Sequence, residues 1–354
     1  MRAHGTARLR AMKVHVMTGG TRLRDFAQLA SDAADAGFAG IVVTESGRTA
    51  YMSVAAAALA DLDLDLATGV AVAFPRSPMV TAATAWELAQ TSGGRFRLGL
   101  GTQVRAHIER RYSAEFDRPG PRLREYTEAV KACFAGFRGE KLEYHGEFYD
   151  LSLLPSMWSP GPIDVADPPV DLAAVNPWMV RMTAAVADGV HVHPLNSPTY
   201  HEQTLLPNLR DGRATDALDD FTVFLPVFTA AGDTAEERAR WRETTRTMVG
   251  FYGSTPNYAF IFDQIGRSGT TAALRAAQKA GDMAGMAAVI DDEILEHFVV
   301  EGTWAEMPDR IEERVGGLRG TDVQPVQYHA GMTYRSDRDT FRRFGDVAAA
   351  LRDR

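Results

Sequence analysis

The chain has 354 residues, 45% of them hydrophobic, so it can bury a large core as one big domain or two ordinary ones. Its 38 basic and 46 acidic residues give a formal net charge of −8, which argues against a surface that binds nucleic acid or an anionic membrane. Cys133 is the only cysteine, which excludes an intramolecular disulfide and a cysteine metal cage, and its helical context predicts a core residue rather than a nucleophile.

Residues 1–11 are interpreted as an N-terminal extension. They contain arginines but no apolar segment follows them, so we do not expect a secretory signal. No apolar run in the chain reaches membrane-spanning length. The sequence therefore predicts a soluble, cytoplasmic protein without a membrane partner.

The first hundred residues alternate between strand and helix patterns. The predicted strands are Met12–Met17, Gly40–Thr44, Leu64–Val72 and Arg95–Leu100. The helical patterns between them are Arg22–Ala36, which should stop at Gly37, then Ala50–Ala60 and Val80–Thr91. Four strands that alternate with helices in this way are typical of an α/β fold with a parallel sheet.

The alternation continues more slowly over the rest of the chain. A helix at Pro121–Phe137 and a hairpin at Glu143–Leu151 are followed by a helix at Pro177–Ala187 and a closing helix at Asp339–Leu351. Four further strands are predicted at Val170–Val175, Val190–His193, Phe221–Thr229 and Val323–His329. Eight strands match a (β/α)8 TIM barrel. Residues 233–309 show helical patterns and no convincing strand, so we expect a helical insertion between the last two strands of a single domain spanning residues 12–354.

Ligands of such barrels bind at the carboxyl ends of the strands. Gly99 and Gly101 share one face of the fourth strand, where missing side chains would leave room for a flat ligand, although glycines can also simply ease packing or a bend. Asn176-Pro177-Trp178 follows a strand and has the pattern of a helix N-terminus. The free backbone N–H groups of residues 178–180 could bind a phosphate, or the segment could be an ordinary capped helix that binds no ligand.

Histidines and a carboxylate also follow the predicted strands. His191 and His193 alternate on one strand face, and His15 belongs to the first strand. A metal site built from these histidines would also need a carboxylate ligand, and Glu45 is the only candidate near a strand end. We therefore predict no metal site. The alternative role for these histidines is a hydrogen bond to a backbone carbonyl at the barrel rim.

Several motifs occur in a fixed order along the chain: Gly94–Thr102, Asp117-Arg118-Pro119 with Arg124-Glu125-Tyr126, Tyr144–Tyr149, and Ala187–Val190. Together they resemble the luciferase-like monooxygenase superfamily, whose members are TIM barrels that bind a flavin or a deazaflavin. The resemblance covers nearly the whole chain from Met12. Gly101–Glu109, Tyr252–Pro256 and Ile290–Glu293 resemble, more narrowly, a subgroup of actinobacterial oxidoreductases assigned to coenzyme F420.

The resemblance implies an oxidoreductase that transfers hydride between F420 and a small organic substrate. It implies a non-proline cis peptide at Gly69–Val70, behind the central ring of the cofactor. Well-studied deazaflavin dehydrogenases have Asp and His after the second strand, whereas this chain has Glu45 and Ser46 there. After the fourth strand they have Gly and Glu, whereas this chain has Gln103 and Val104. These departures argue against a sugar-phosphate substrate and leave the proton donor unassigned.

On this basis the sequence predicts three groups of site residues. His15, Glu45 and His193 are the candidate catalytic residues, and Tyr252 and Ser254 are candidates for substrate contact. The candidate cofactor-binding residues are Gly69, Val70, Gly101, Thr102, Gln103, Asn176, Pro177, Trp178, Met179 and Val180.

Two other functions stay open at this point. The same fold would serve an FMN-dependent monooxygenase that uses O2 and receives reduced flavin from a separate reductase. A barrel that has lost catalysis would act as a binding or structural subunit. Members of the superfamily are often dimeric, so a homodimer is compatible with the resemblance.

Overall fold

The structure, a computed structural model, describes residues 12–354, and the predicted extension at 1–11 lies outside the described residues. Eight parallel strands form a closed barrel: β1 (His15–Gly19), β2 (Gly40–Thr44), β3 (Asp65–Thr68), β4 (Phe96–Gly101), β5 (Val170–Ala174), β6 (Gly189–Val192), β7 (Leu218–Ala231) and β8 (Thr321–Gln327). Pairing of β8 with β1, through His15 and Val326, closes the ring. The predicted TIM barrel is confirmed.

Helices cover the outside of the barrel. Before β7 they are Leu23–Ala36, Ala50–Ala58, Pro78–Thr91, Arg105–Arg110, Pro119–Phe137, Pro177–Val186 and Leu206–Arg213, and Arg338–Arg352 closes the chain. In the helix Leu23–Ala36, Phe26, Leu29 and Ala33 lie on one buried face, which packs against the barrel. The helix ends at Gly37, whose φ of 101° is accessible to glycine without strain. None of the helices in residues 12–354 is long and apolar enough to cross a membrane.

Two short strand pairs complete the elements before β5. Ala71–Val72 continues β3 and pairs with the end of β4. Tyr144–His145 pairs antiparallel with Asp150–Leu151, which confirms the predicted hairpin. Short α-helical turns lie at Pro198–Tyr200 and Ala330–Thr333. Single turns of 3-10 helix lie at Ser156–Trp158, Pro256–Tyr258 and Gly316–Leu318, and a π-helical turn lies at His201–Leu205.

The insertion between β7 and β8 spans 232–320 and is largely helical. Its helices are Ala235–Gly253, Ala259–Gln264, Thr270–Ala280, Met283–Val289, Asp292–Glu296 and Met307–Val315. The expectation that it lacks a strand is wrong, because Val299–Gly302 pairs in parallel with Phe228–Ala231 at the far end of β7. The long β7 rises beyond its neighbours, and this extra strand covers its exposed edge.

Side chains fill the barrel interior at the amino ends of its strands. Asp171 on β5 is fully buried and accepts two hydrogen bonds from Arg97 on β4, at 2.6 and 2.8 Å. His15 Nε2 lies 2.8 Å from Gln324 Oε1, and the ring is 1% exposed. His15 is thus the first residue of β1 and belongs to the closed end of the barrel, which contradicts its predicted place at the carboxyl rim.

Candidate functional site

The carboxyl ends of the strands form a partly open mouth. Inward-facing residues at this end are half-buried, among them Met17, Val70, Ala173 and His193, whereas His15 and Asp171 at the opposite end are buried. Adjacent strands carry Val70, Gly101, Ala173 and His193 around one arc of the mouth, in the strand order β3, β4, β5, β6. This arc agrees with the end of a TIM barrel at which ligands bind.

His193 follows β6 directly, and its half-buried side chain lies at the carboxyl end of that strand. Its Nδ1 accepts a hydrogen bond from the Leu195 N–H at 3.0 Å, so the neutral ring carries its proton on Nε2. Burial lowers the pKa of His193 to about 3. At neutral pH the residue is therefore an uncharged hydrogen-bond donor.

Two tyrosines of the insertion pack against His193. The ring of Tyr252 meets it edge-on at 4.7 Å between centroids, and the ring of Tyr258 lies at 4.6 Å. The Tyr252 hydroxyl is 2.7 Å from the Tyr328 hydroxyl, which directly follows β8. His193 and Tyr252, two of the predicted site residues, are thus neighbours in the structure. Tyr258 was not predicted as a site residue, and neither was Tyr328, although it lies within the predicted strand Val323–His329.

Asn196 is a further residue that the sequence analysis missed. Its Nδ2 donates to the His193 carbonyl at 2.9 Å and to the Pro226 carbonyl at 3.0 Å. Its Oδ1 lies 2.9 Å from His201 Nε2, and its own carbonyl accepts from Arg314 at 2.6 Å. Asn196 thereby ties the segment that carries His193 to β7 and to the insertion. The pattern Asn196-Ser197-Pro198 matches a helix N-terminus and was the available signal.

Glu45 is not a free acid or base. Its two oxygens accept from Arg76 at 2.6 and 2.9 Å, and one also accepts from the Val72 N–H at 2.8 Å. Burial favours the protonated carboxyl, but the Arg76 and Val72 hydrogen bonds outweigh burial and hold the pKa of Glu45 below its usual value. Glu45 therefore stays ionised and anchors the segment after β3, which conflicts with its predicted catalytic role.

The Gly69–Val70 peptide bond is cis, as the resemblance implied. The predicted hollow at Gly99 and Gly101 is wrong. A Cβ on Gly101 would lie 2.6 Å from Val70 Cγ2, and one on Gly99 would lie 2.6 Å from His191 Nε2. The two glycines therefore make room for the side chains of Val70 and His191. Val70, and not an empty space, faces the mouth at this point.

We expect Gly99→Ala to lower the free energy of unfolding by about 1–3 kcal/mol, because the new methyl group would overlap the Thr68 carbonyl oxygen and crowd His191. Urea unfolding followed by circular dichroism measures this change. Gly47→Ala is the matched control, since a Cβ there has no neighbour within 4 Å. Equal stability of the two variants would contradict the tight packing at Gly99.

The predicted phosphate-binding turn is present but largely occupied. Asn176 caps the helix Pro177–Val186, accepting from Met179 N–H at 3.0 Å through Oδ1 and from Val180 N–H through its carbonyl. Of the N–H groups at 178–180, only that of Trp178 is left free by these bonds. The Trp178 ring covers Gly120 on the outside of the barrel. The expectation of three free N–H groups is therefore wrong.

The remaining predicted residues divide between the mouth and the packing. Thr102 is half-buried and Gln103, with a φ of 56°, is exposed beyond the end of β4. Ser254 is buried and donates to the Phe251 carbonyl at 2.7 Å, so it closes its own helix rather than facing a substrate. Cys133 is buried in the core, as predicted, and burial raises the pKa of its thiol to about 12.

The histidines do not converge on a metal. His191 stacks on Phe224 at 4.5 Å, and its Nε2 is buried without a partner. The ring of His15 contacts the same Phe224 in an edge-on arrangement, with 5.4 Å between ring centroids. Within residues 12–354, no group of three or more His, Cys, Asp or Glu side chains is placed to hold a metal ion.

Stability should fall as the pH drops from about 6.5 to about 4. Burial lowers the pKa of His15, His191 and His329 to about 4, and that of His193 and His201 to about 3. The unfolded chain, with histidine pKa values near 6.5, then binds more protons than the folded chain, which costs up to about 1.4 kcal/mol per pH unit for each residue. Urea midpoints at pH 7, 6 and 5 test this; equal midpoints would contradict it.

Comparison with known proteins identifies the family. The model of the luciferase-like monooxygenase family matches residues 6–319, and the chain belongs to this family. An uncharacterized protein of Mycobacterium tuberculosis is 36% identical over 82% of this chain and 87% of its own length. The 5,10-methylenetetrahydromethanopterin reductase of Archaeoglobus fulgidus is 27% identical, covering 83% and 86% of the two chains.

Solved structures show the same fold. The coenzyme F420-dependent tetrahydromethanopterin reductase of Methanopyrus kandleri superposes with a TM-score of 0.72 at 19% identity, over 96% of this chain and 97% of that one. The oxygenating constituent of 3,6-diketocamphane monooxygenase from Pseudomonas putida, in complex with FMN, has a TM-score of 0.62 at 14% identity, over 96% and 98%. Both likenesses concern the fold alone.

Proposed function

We propose that this chain is an oxidoreductase that binds coenzyme F420 at the carboxyl mouth of the barrel and acts on a small organic substrate beside His193. The observation that carries the proposal is the mouth itself, where an apolar surface at Val70 and an uncharged donor at His193 lie on one arc of strand ends. Support comes from family membership and from the match to a methanopterin reductase over 83% of this chain and 86% of the reductase.

We infer that a flat tricyclic ring would bind at the mouth, and the apolar character of Val70 supports this inference. Val70 sits in the space over Gly101 and offers an apolar platform, while the Glu45–Arg76 pair fixes the segment after β3. In this proposal Gln103 and Thr102, beyond the end of β4, would bond polar groups of the cofactor, and the Trp178 N–H would bond its phosphate. When bound, a deazaflavin supplies a hydride or accepts one.

The protein's own contribution is to orient and polarise the substrate. The Nε2–H of His193 would donate to a substrate oxygen, and the low pKa of the ring keeps this donor uncharged at neutral pH. Tyr252 and Tyr258 hold the imidazole in place and narrow access of water from the insertion side.

Fluorescence-quenching titrations with F420, FMN and FAD side by side test the proposal. We expect F420 to bind most tightly, and Val70→Asp to weaken it at least tenfold, because a carboxylate would replace the apolar platform. Val80→Asp, on the outer helix Pro78–Thr91 where the side chain is 56% exposed, is the matched control. Tighter binding of FMN would favour the monooxygenase with a separate reductase. No binding of any of the three would favour a catalytically inactive subunit.

A further inference from the structure

We propose that a chain of aromatic side chains carries single oxidising equivalents from the mouth of the barrel to the outer surface, and thereby removes oxygen-centred radicals from the mouth. This aromatic chain consists of Tyr252, Tyr328, His329, Trp241, Phe344 and Trp304. The inference goes beyond the proposed function, because it concerns one-electron transfer by the protein itself and needs no cofactor.

Two tyrosines form the inner end of the aromatic chain. The hydroxyls of Tyr252 and Tyr328 lie 2.7 Å apart, and the Tyr328 hydroxyl also donates to the Met248 sulfur at 3.7 Å. Burial and the Tyr328 hydroxyl raise the pKa of Tyr252 above its ordinary value, so this phenol keeps its proton at neutral pH. Tyr334, by contrast, donates its hydroxyl to the Asp32 carboxylate. A direct bond between two phenols lets a hydrogen atom pass from one tyrosine to the other.

Ring contacts continue outward from Tyr328. Its ring centroid lies 5.9 Å from that of His329, and His329 stacks on Trp241 at 5.0 Å with 22° between the planes. Phe228 contacts both Tyr328 and His329, at 4.9 and 5.4 Å. His329 Nδ1 donates to the Thr229 carbonyl at 3.0 Å, and burial lowers the pKa of His329 to about 4. The imidazole is therefore uncharged and does not repel a positive charge that passes between its neighbours.

The outer end of the aromatic chain reaches solvent. The Phe344 ring lies 6.1 Å from Trp241 and 5.0 Å from Trp304, again between centroids. Trp241 is 7% exposed, whereas Trp304 is partly exposed. The aromatic chain thus begins at the mouth and ends at a tryptophan that water reaches.

The types and spacing of these residues suit a relay of electrons. Trp241 and Tyr252 belong to the helix Ala235–Gly253 and lie about 17 Å apart along its axis, at about 1.5 Å per residue. A single transfer over this distance is slow, because electron tunnelling falls off exponentially with distance. Rings in contact divide the distance into short steps. Leucine would fill the same volume, but tyrosine and tryptophan are among the side chains that radicals oxidise most readily.

The electrons and protons balance when the oxidant is an oxygen-centred radical, RO•. It takes a hydrogen atom from Tyr252, which leaves ROH and a phenoxyl radical. Tyr328 passes its hydroxyl hydrogen across the 2.7 Å contact and restores Tyr252. Trp241 then gives one electron to Tyr328 through His329, and Tyr328 takes a proton from water. Trp304 reduces Trp241 and releases its own Nε1 proton to water, so the products are ROH and a neutral Trp304 radical.

Pulse radiolysis of the full-length protein tests the relay in the reverse direction, because azide radicals oxidise tryptophans that solvent reaches. We expect the absorption of the tryptophan radical to decay while that of a tyrosine radical grows, at a rate independent of protein concentration. This growth is the intramolecular phase. Its absence, or a rate proportional to protein concentration, would overturn the inference.

Two tryptophan variants test the path. Trp241→Phe and Trp304→Phe should each lower the amplitude of the intramolecular phase at least tenfold. Trp86→Phe, at a buried tryptophan, and Trp158→Phe, at one that is 75% exposed, are the matched controls and should retain the phase. Because Trp304 is partly exposed, its variant keeps the test valid even if Trp241→Phe fails to fold. A full phase in folded Trp304→Phe would contradict the proposed path.

The double variant Tyr252→Phe/Tyr328→Phe identifies the tyrosines. It keeps both rings and removes both hydroxyls, so the intramolecular phase should disappear. If the phase persists, the radical lies on another tyrosine and the inference fails. The outcome is independent of the proposed function: F420 binding without the phase would refute the relay alone, whereas the phase without F420 binding would refute the proposed function alone.

Discussion

Asp171→Leu is expected to lower the free energy of unfolding by about 3–5 kcal/mol. The Asp171 side chain is fully buried inside the barrel and is bonded to Arg97 through both oxygens. Burial disfavours the charge of Arg97, but Asp171 outweighs burial and raises the pKa of the guanidinium. Without Asp171 the arginine would keep its charge in a place with little water. Urea unfolding monitored by circular dichroism measures the loss.

The double variant Arg97→Met/Asp171→Leu is the control for this prediction. It removes both charges and keeps the volume apolar, so it should recover most of the stability lost by the single change. If the double variant is as unstable as Asp171→Leu, the loss of stability comes from changed packing and not from the unpaired charge of Arg97. The barrel would then depend on Asp171 for its packing alone.

His193→Ala is expected to lower kcat about 100- to 1,000-fold with the cofactor that the protein binds, because in the proposed function the His193 Nε2–H donates to the reacting oxygen. The burial of the ring and the occupied Nδ1 leave Nε2–H as the only donor of this residue. His193→Gln retains an N–H donor and should lose less. Steady-state kinetics with each variant give kcat and KM separately.

For the His193 variants, a loss of catalysis can be distinguished from a loss of folding. Because the pKa of His193 is held to about 3, the rate should show no histidine titration between pH 6 and 8. A variant that raises KM at unchanged kcat, or a rate that follows a pKa near 6.5, would contradict the role of neutral donor. Unchanged F420 affinity in both variants would confirm that the mouth remains intact.

The barrel could be predicted because its strands are short, buried and locally marked. All eight predicted strands, and the stop at Gly37, correspond to observed elements. The missed strand Val299–Gly302 has four residues between helices, and its partner lies about seventy positions earlier. Nothing local in those four residues distinguishes a strand from a loop.

The site could be predicted only in part, since its contacts join distant segments. His15 was misplaced because β1 begins at that residue and not at Met12, which moves the side chain to the closed end of the barrel. Glu45 is held by Arg76, 31 positions away, and Asn196 by Arg314, 118 positions away. The side chains over Gly99 and Gly101 come from β6 and from the turn after β3, and spacing within one strand carries no information about them.

The two halves of the mouth come from different parts of the chain. His193 and Val70 are borne by the barrel, whereas Tyr252 and Tyr258 are borne by the insertion between β7 and β8. Exchange of the insertion would therefore change the residues that pack on His193 while the strand ends of the barrel stay the same. For the same reason, grafting an insertion from a relative is a practical route to new specificities on this scaffold.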